Sequence, residues 1–185
     1  PDAILQAARE LNLSFVVGEP DARGISSLHE VKKLGEEMNE VGRTVSERGL
    51  RFAMHNHAVQ FERKIGGRPV YWLIVESTDP RYVYFQPDVY WVKFAGFDPV
   101  EVIRSLKGRC PMVHLKDMKD EKSREMEEVG AGIINFREVL RACIDAGTEY
   151  GIVEHDNPRG DSIEAAKRML ARLRDVLRDL ASSPP

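Results

Sequence analysis

The chain has 185 residues, 42% hydrophobic and 31% charged, an ordinary globular balance with apolar side chains enough for one sizeable core. A net charge of -3, a pI near 6.0 and cationic residues scattered along helical stretches supply no basic field for a phosphate backbone, which points away from nucleic acid. No apolar run approaches the roughly 20 residues that span a bilayer, and no charged-then-apolar leader opens the chain, so a cytoplasmic location without membrane contact is expected.

"DAILQAARELN" places Ile4, Leu5, Ala8 and Leu11 on one helical face, and "LSFVVGEP" then reads as a short strand ended by Gly18 and Pro20. "SSLHEVKKLGEEMNEVGRTVSERG" carries Leu28, Val31, Leu34, Met38, Val41 and Val45 at helical spacing, with Ser26 or Ser27 as cap and Gly49 as stop. "LRFAMHNH" is the next strand. Past a loop at Gly66 and Gly67, "PVYWLIVEST" reads as a helix leading through "DPRY" into the strand "VYFQPD". "DPVEVIRSLKGR" has an Asp98 cap and Pro99 at the first helical position, and it feeds the strand "CPMVHLKD".

The charge run "DEKSREMEE" reads as a solvated loop, and the glycines of "EVGAGIINF" as a tight turn. "NFREVLRACIDAGT" opens with Asn135 and Glu138 in a capping-box pattern and delivers the strand "EYGIVEHD". The terminal helix "SIEAAKRMLARLRDVLRDLA" has Ile163, Ala166, Leu170, Leu173 and Leu177 on one face and arginines as its solvated side. Cys110 and Cys143 have no metal-like spacing and read as small core residues of a reducing compartment.

Strands alternating with helices predict an α/β fold of about five parallel strands with helices outside. Four histidines close such strands: His55 and His57 after "RFAM", His114 after "CPMV", and His155 behind Glu154 in "YGIVEHDN"; Asp88 stands similarly after "YVYFQP". In a parallel barrel these ends open onto one face, and imidazoles with carboxylates there make a metal-site composition. The competing reading for Asp88 is a cap on the segment after its strand, and Asp117 in "HLKD" reads as a holder of a neighbouring loop or of Lys116. Trp91 reads as apolar packing or as a platform for a sugar ring, and His29 as a surface residue.

The motifs "RFAMHNHAVQFE", "FQPDVYWVKFAGFDPVEVI", "PMVHLKDMK", "EVGAGIINF" and "YGIVEHDNP" stand in an order and spacing that resembles the sugar phosphate isomerase/epimerase family, the xylose-isomerase-like barrels that include inosose dehydratases, ketose epimerases and apurinic endonucleases. Nearly the whole chain resembles the C-terminal two-thirds of such barrels. The resemblance implies a partial (β/α)8 TIM barrel over residues 1–181, its first three strands absent, with a disordered tail over 182–185. Beginning at Pro1, within a helix-strand unit, the chain reads as a fragment, and a homo-oligomer covering the open sheet edges is expected.

On that resemblance a divalent cation (Mn, Co, Zn or Mg) falls to Asp88, His114 and Glu154, with Gln60 in the slot where relatives carry an acid. His55 aligns where other versions of the motif carry Glu, and could coordinate instead. The implied activity is a sugar isomerase or epimerase that moves a proton next to a carbonyl through an enediolate. Glu154 is the first base candidate and His57 the second; Lys116 is a catalytic or substrate-orienting cation, and His55, Trp91 and Asn157 contact a small sugar or cyclitol. The alternatives are a non-catalytic or sugar-binding descendant, an inosose-dehydratase-like lyase, or a DNA-repair endonuclease.

Overall fold

A computed structural model describes residues 2–182, which gather into two compact units, one through Gln86 and one from Pro87 on. The first contains α1 (Asp2–Glu10), β1 (Phe15–Gly18), α2 (Leu28–Ser46), β2 (Arg51–His55), α3 (Val59–Glu62), β3 (Lys64–Ile65), β4 (Arg68–Pro69), α4 (Val70–Ser77) and β5 (Val83–Gln86). β1, β2 and β5 form a parallel sheet in that order, with Gly18 beside Met54 and His55 beside Gln86. The loop expected at Gly66 and Gly67 turns at φ of 58° and 81° and closes a short antiparallel β3–β4 pair.

α2 starts at Ser27, whose side chain accepts from the Glu30 amide. Its buried face corrects the sequence expectation: it runs through Val31, Gly35, Met38, Gly42 and Val45, while Leu28 and Val41 are exposed. The reason is close backbone approach. A Cβ at Gly35 would lie 2.5 Å from Ser77 Oγ, and one at Gly42 only 2.4 Å from the Tyr82 carbonyl oxygen. Helix propensity favours alanine over glycine by about 1 kcal/mol, but the clash at position 42 is with backbone that cannot rotate away. Gly42→Ala is therefore expected to lower stability by about 1–2 kcal/mol net, read as an earlier urea midpoint; an unchanged midpoint would refute this packing. In α1, Leu5 and Ala8 are buried as expected, whereas Ile4 and, just past the helix, Leu11 are exposed.

The second unit contains α5 (Val89–Phe94), α6 (Pro99–Ser105), β6 (Met112–Leu115), β7 (Asp117–Met118), β8 (Met126–Glu127), α7 (Phe136–Ala146), β9 (Tyr150–Val153) and α8 (Ser162–Ser182). β6 and β9 are parallel neighbours, and Asp88 forms a parallel bridge to His114. The two units thus hold the five parallel-paired strands that the sequence predicts. The caps fall where expected: Asp98 accepts from the Val100 amide, and Asn135 from those of Arg137 and Glu138. Cys110 and Cys143 are buried, and burial pushes their thiols up to about 12 and 11.

Three expectations are corrected here. The segment read as a solvated loop is in part the β8 arm of a hairpin with β7. α8 buries Ala165, Met169, Leu173 and Leu180, while Ile163, Leu170 and Leu177 stay exposed, because the helix carries more apolar residues than one face can cover. It also runs through Ser182, and residues 183–185, the rest of the expected tail, lie outside the described residues. No described helix is long and apolar enough to cross a membrane.

Two of the solvent-exposed arginines of α8 also make a specific ion pair. Arg168 and Arg172 both grip Glu128, with Arg172 Nη1 2.9 Å from Oε2. The Arg168 hydrogen bonds, reinforced by Arg172, hold the Glu128 carboxyl down to about 2 against the opposing effect of burial. A carboxyl depressed on folding stabilises the fold above its unfolded value, and that contribution drains away as pH falls from about 4.5 towards 2. Glu128→Gln is expected to cost about 1 kcal/mol at neutral pH and only a small part of that near pH 2. A cost that persists undiminished at pH 2 in chemical denaturation would contradict the charge pairing.

Candidate active site

In the second unit, charged side chains collect at the carboxyl ends of β6 and β9 and at the start of α5. Asp88 is fully buried and divides its carboxylate between two tasks. Oδ1 caps α5, accepting from the amides of Tyr90 at 3.0 Å and Trp91 at 3.2 Å. Oδ2 lies 3.8 Å from His114 Nδ1 and 3.5 Å from Lys116 Nζ. The capping reading of Asp88 and the ligand reading are thus compatible, one oxygen each.

His114 and Lys116 are two residues apart on an extended segment, which sends both side chains to the same side. His114 N donates to Pro87 O at 3.0 Å, and Glu154 N to Leu115 O at 3.2 Å, so ladder hydrogen bonds set the backbone beneath the cluster. Glu154 Oε2 is 2.9 Å from His114 Nδ1, and Oε1 is 3.2 Å from Lys116 Nζ. Asp156 Oδ1 completes the surroundings of Lys116 at 2.9 Å.

Burial dominates the electrostatics and pushes the Asp88 carboxyl up to about 6, although Lys116 and two amides oppose it. For Lys116, burial works to lower the ammonium, but Asp156, Asp88 and Glu154 together outweigh it and hold it above its ordinary value. Asp156 is held below the usual carboxylate range, the Lys116 contact overcoming desolvation. Three carboxylates against one ammonium leave a net charge of minus two, which a divalent cation would neutralise. Ligands about 2.0–2.2 Å from one ion sit about 3–4 Å from each other. The Asp88–His114 and His114–Glu154 separations each fall near that range, so His114 could share a cation with either carboxylate.

Asp117 behaves as the sequence suggests and holds a loop. Its buried carboxylate accepts from the amides of Met118, Gly130, Gly132 and Ile134 at 2.8–3.1 Å. Burial raises its carboxyl nonetheless. Gly132 has to be glycine, since a Cβ there would meet Met118 O at 2.2 Å.

Two of the predicted substrate contacts adjoin these residues, Trp91 through its amide to Asp88 and Asn157 as the residue after Asp156. Trp91 packs edge-on against Tyr90 and Phe94. Asn157 lies with Glu127, His155 and Arg159 along a neighbouring cleft of about 420 Å³.

The first unit builds its own strand-end cluster. His55 Nδ1 lies 3.2 Å from Gln86 Oε1, its register partner on β5. His57, just past β2, pairs through Nδ1 with Glu19, just past β1. Gln60 is buried and committed at both ends of its amide: Oε1 accepts from His57 N, and Nε2 donates to Pro20 O, each at 2.9 Å. Its observed work is to fasten two strand-end loops.

The sequence reading passed over Glu19 and Asp156. Both carry the signal that singled out the histidines, a functional side chain one to three residues beyond a strand, masked by an adjoining Pro20 and by the more conspicuous Glu154.

The model of the protein family described as xylose isomerase-like TIM barrel matches residues 2–176. Among curated proteins, an inosose dehydratase of Clostridium tetani is 26% identical over 168 residues, covering 79% of this chain and 54% of its own length. That of Clostridium perfringens (strain ATCC 13124) is 29% identical over 173 residues, covering 80% and 56%. The chain therefore spans about half the length of the curated relatives it matches. A crystal structure of a sugar phosphate isomerase/epimerase from Parabacteroides distasonis aligns with a TM-score of 0.78 at 24% identity, over 93% of this chain and 62% of that one. The IolI protein, solved with a zinc atom, aligns at 0.69 and 16% identity, over 97% and 67%. At these identities the structural likenesses speak for the fold.

Proposed function

This chain belongs to the xylose isomerase-like TIM barrel family, and from that footing we propose that it carries the catalytic residues of a divalent-metal-dependent enzyme acting on a small sugar or cyclitol. The reaction is removal of the proton beside a carbonyl. The observation that carries this reading is the Asp88–His114–Glu154 arrangement, two carboxylates converging on one imidazole with a buried lysine behind them. Asp88, His114 and Glu154 would hold the ion, and their donor chemistry suits Mn, Co, Zn or Mg. When bound, the ion supplies Lewis-acid stabilisation of negative charge on the substrate oxygens.

The chain's own residues do the rest. The α5 cap fixes Asp88 Oδ1 and keeps Oδ2 aimed at the cluster. Glu154 takes the proton, its side chain being 39% exposed and open to a substrate. Lys116, with a side chain only 4% exposed and its charge matched by three carboxylates, orients Glu154 rather than receiving a phosphate. His57, in the first unit, is the second candidate for the proton-transfer role.

The fate of the proton decides the reaction class. Return to carbon gives epimerisation or isomerisation, which the sequence reading placed first; loss of a β-hydroxyl gives dehydration. The curated relatives named above are inosose dehydratases, which favours dehydration for this chain. The test is to incubate inososes and ketoses in deuterated water with Mn or Co and the protein carrying this chain. Deuterium at the α carbon supports the reading, with an unsaturated product marking the lyase and a labelled, otherwise intact sugar marking the isomerase or epimerase. No label with any substrate would favour a non-catalytic sugar-binding descendant.

A further inference from the structure

We infer that Glu19 is a positioning residue for His57, holding the imidazole in its Nδ1–H form so that Nε2 carries the lone pair used in proton transfer. The inference rests on the proton-transfer reading above for its catalytic consequence, and on local geometry for everything else. Glu19 is the first residue past β1 and His57 the second past β2, on parallel neighbours whose last paired residues are Gly18 and Met54. The sheet thus delivers the carboxylate and the imidazole to the same end, where Glu19 Oε1 meets His57 Nδ1.

Two further hydrogen bonds lock the pair. Gln60, fully buried, accepts from the His57 amide and donates to the carbonyl of Pro20, the residue next to Glu19. Each loop is therefore pinned one residue or less from the side chain it presents. The His57 and Glu19 side chains are 38% and 42% exposed, so a substrate can reach the ring while a buried clamp holds its backbone.

The chemistry follows from imidazole. A neutral ring has one N–H and one lone pair, and a carboxylate at Nδ1 selects the N–H there and leaves the lone pair on Nε2. When Nε2 takes a proton, the ring becomes an imidazolium whose charge the Glu19 carboxylate faces; when the proton is returned, the ring recovers the same tautomer. Without Glu19 the ring relaxes towards the Nε2–H form, which offers its lone pair on the wrong nitrogen.

The test compares wild type with Glu19→Ala and Glu19→Gln in the protein carrying this chain, using nitrogen-15 NMR of the histidine ring and steady-state kinetics. Wild-type His57 is expected in the Nδ1–H form and Glu19→Ala in the Nε2–H form, with kcat down about tenfold or more and KM changed less than about twofold. Glu19→Gln, which keeps an acceptor but no charge, should restore the tautomer and only part of kcat. The same tautomer in wild type and Glu19→Ala would overturn the inference, as would an unchanged kcat. If the wild type shows no turnover with any substrate, the functional reading fails, yet the tautomer comparison still decides whether Glu19 positions His57.

Discussion

Glu154→Gln is expected to reduce α-proton exchange at saturating metal by about three orders of magnitude while leaving the fold intact. Positioned acid–base groups contribute on the order of 10²–10⁴ to rate, and an amide has the shape of the carboxylate without its basicity. The fold should survive because the Glu154 side chain is 39% exposed and its backbone amide keeps its bond to Leu115 O. Lys116 also retains Asp156 at 2.9 Å and Asp88 at 3.5 Å, so the substitution does not strand a buried cation. The check is deuterium incorporation beside circular dichroism and thermal unfolding. Unchanged exchange would remove Glu154 as the base and shift that role to another group.

The largest effect on stability is expected at Asp117. Its buried carboxylate receives four amides, three of them from the 130–134 loop, and alanine would leave all four without their charged acceptor. Losing a charged acceptor for buried donors costs about 1–3 kcal/mol per bond before relaxation. With water reaching part of the loop, Asp117→Ala is expected to cost about 3–5 kcal/mol in all. Asp117→Asn should fall between: one oxygen can still serve Met118 and Ile134, but the new NH2 would face the Gly130 and Gly132 amides as donor against donor. Urea unfolding measures both. A cost under about 1 kcal/mol for the alanine variant would mean that the loop is held by other contacts. Asp117 directly follows Lys116, so the same variant should also loosen the cluster and depress exchange.

The strands and their ends were legible because β2, β5, β6 and β9 are apolar runs punctuated by polar residues whose chemistry stands out. His114 and Glu154 could be picked from the residues because each closes such a run. The dual role of Asp88 was half legible: capping spacing is a local property, whereas the 3.5 Å approach to Lys116 depends on packing. Helix faces were misread where periodicity competes with a neighbouring backbone. In α2 the buried stripe passes through Gly35 and Gly42, which carry no hydrophobic signal, and in α8 a surplus of leucines hides which edge is covered. The two-residue ladders β3–β4 and β7–β8 are too short to have a period. Glu19 and Gln60 acquire meaning only once β1 and β2 are set side by side.

Metal titration compares most directly with the ligand assignment, using calorimetry on metal-free protein carrying this chain and on its Asp88→Asn, His114→Ala and Glu154→Gln variants. The assignment predicts one divalent ion per chain for the wild type, with affinity falling at least tenfold in each variant as a ligand is lost or neutralised. Wild-type binding well below one ion per chain, or equal affinity in all four proteins, would contradict it.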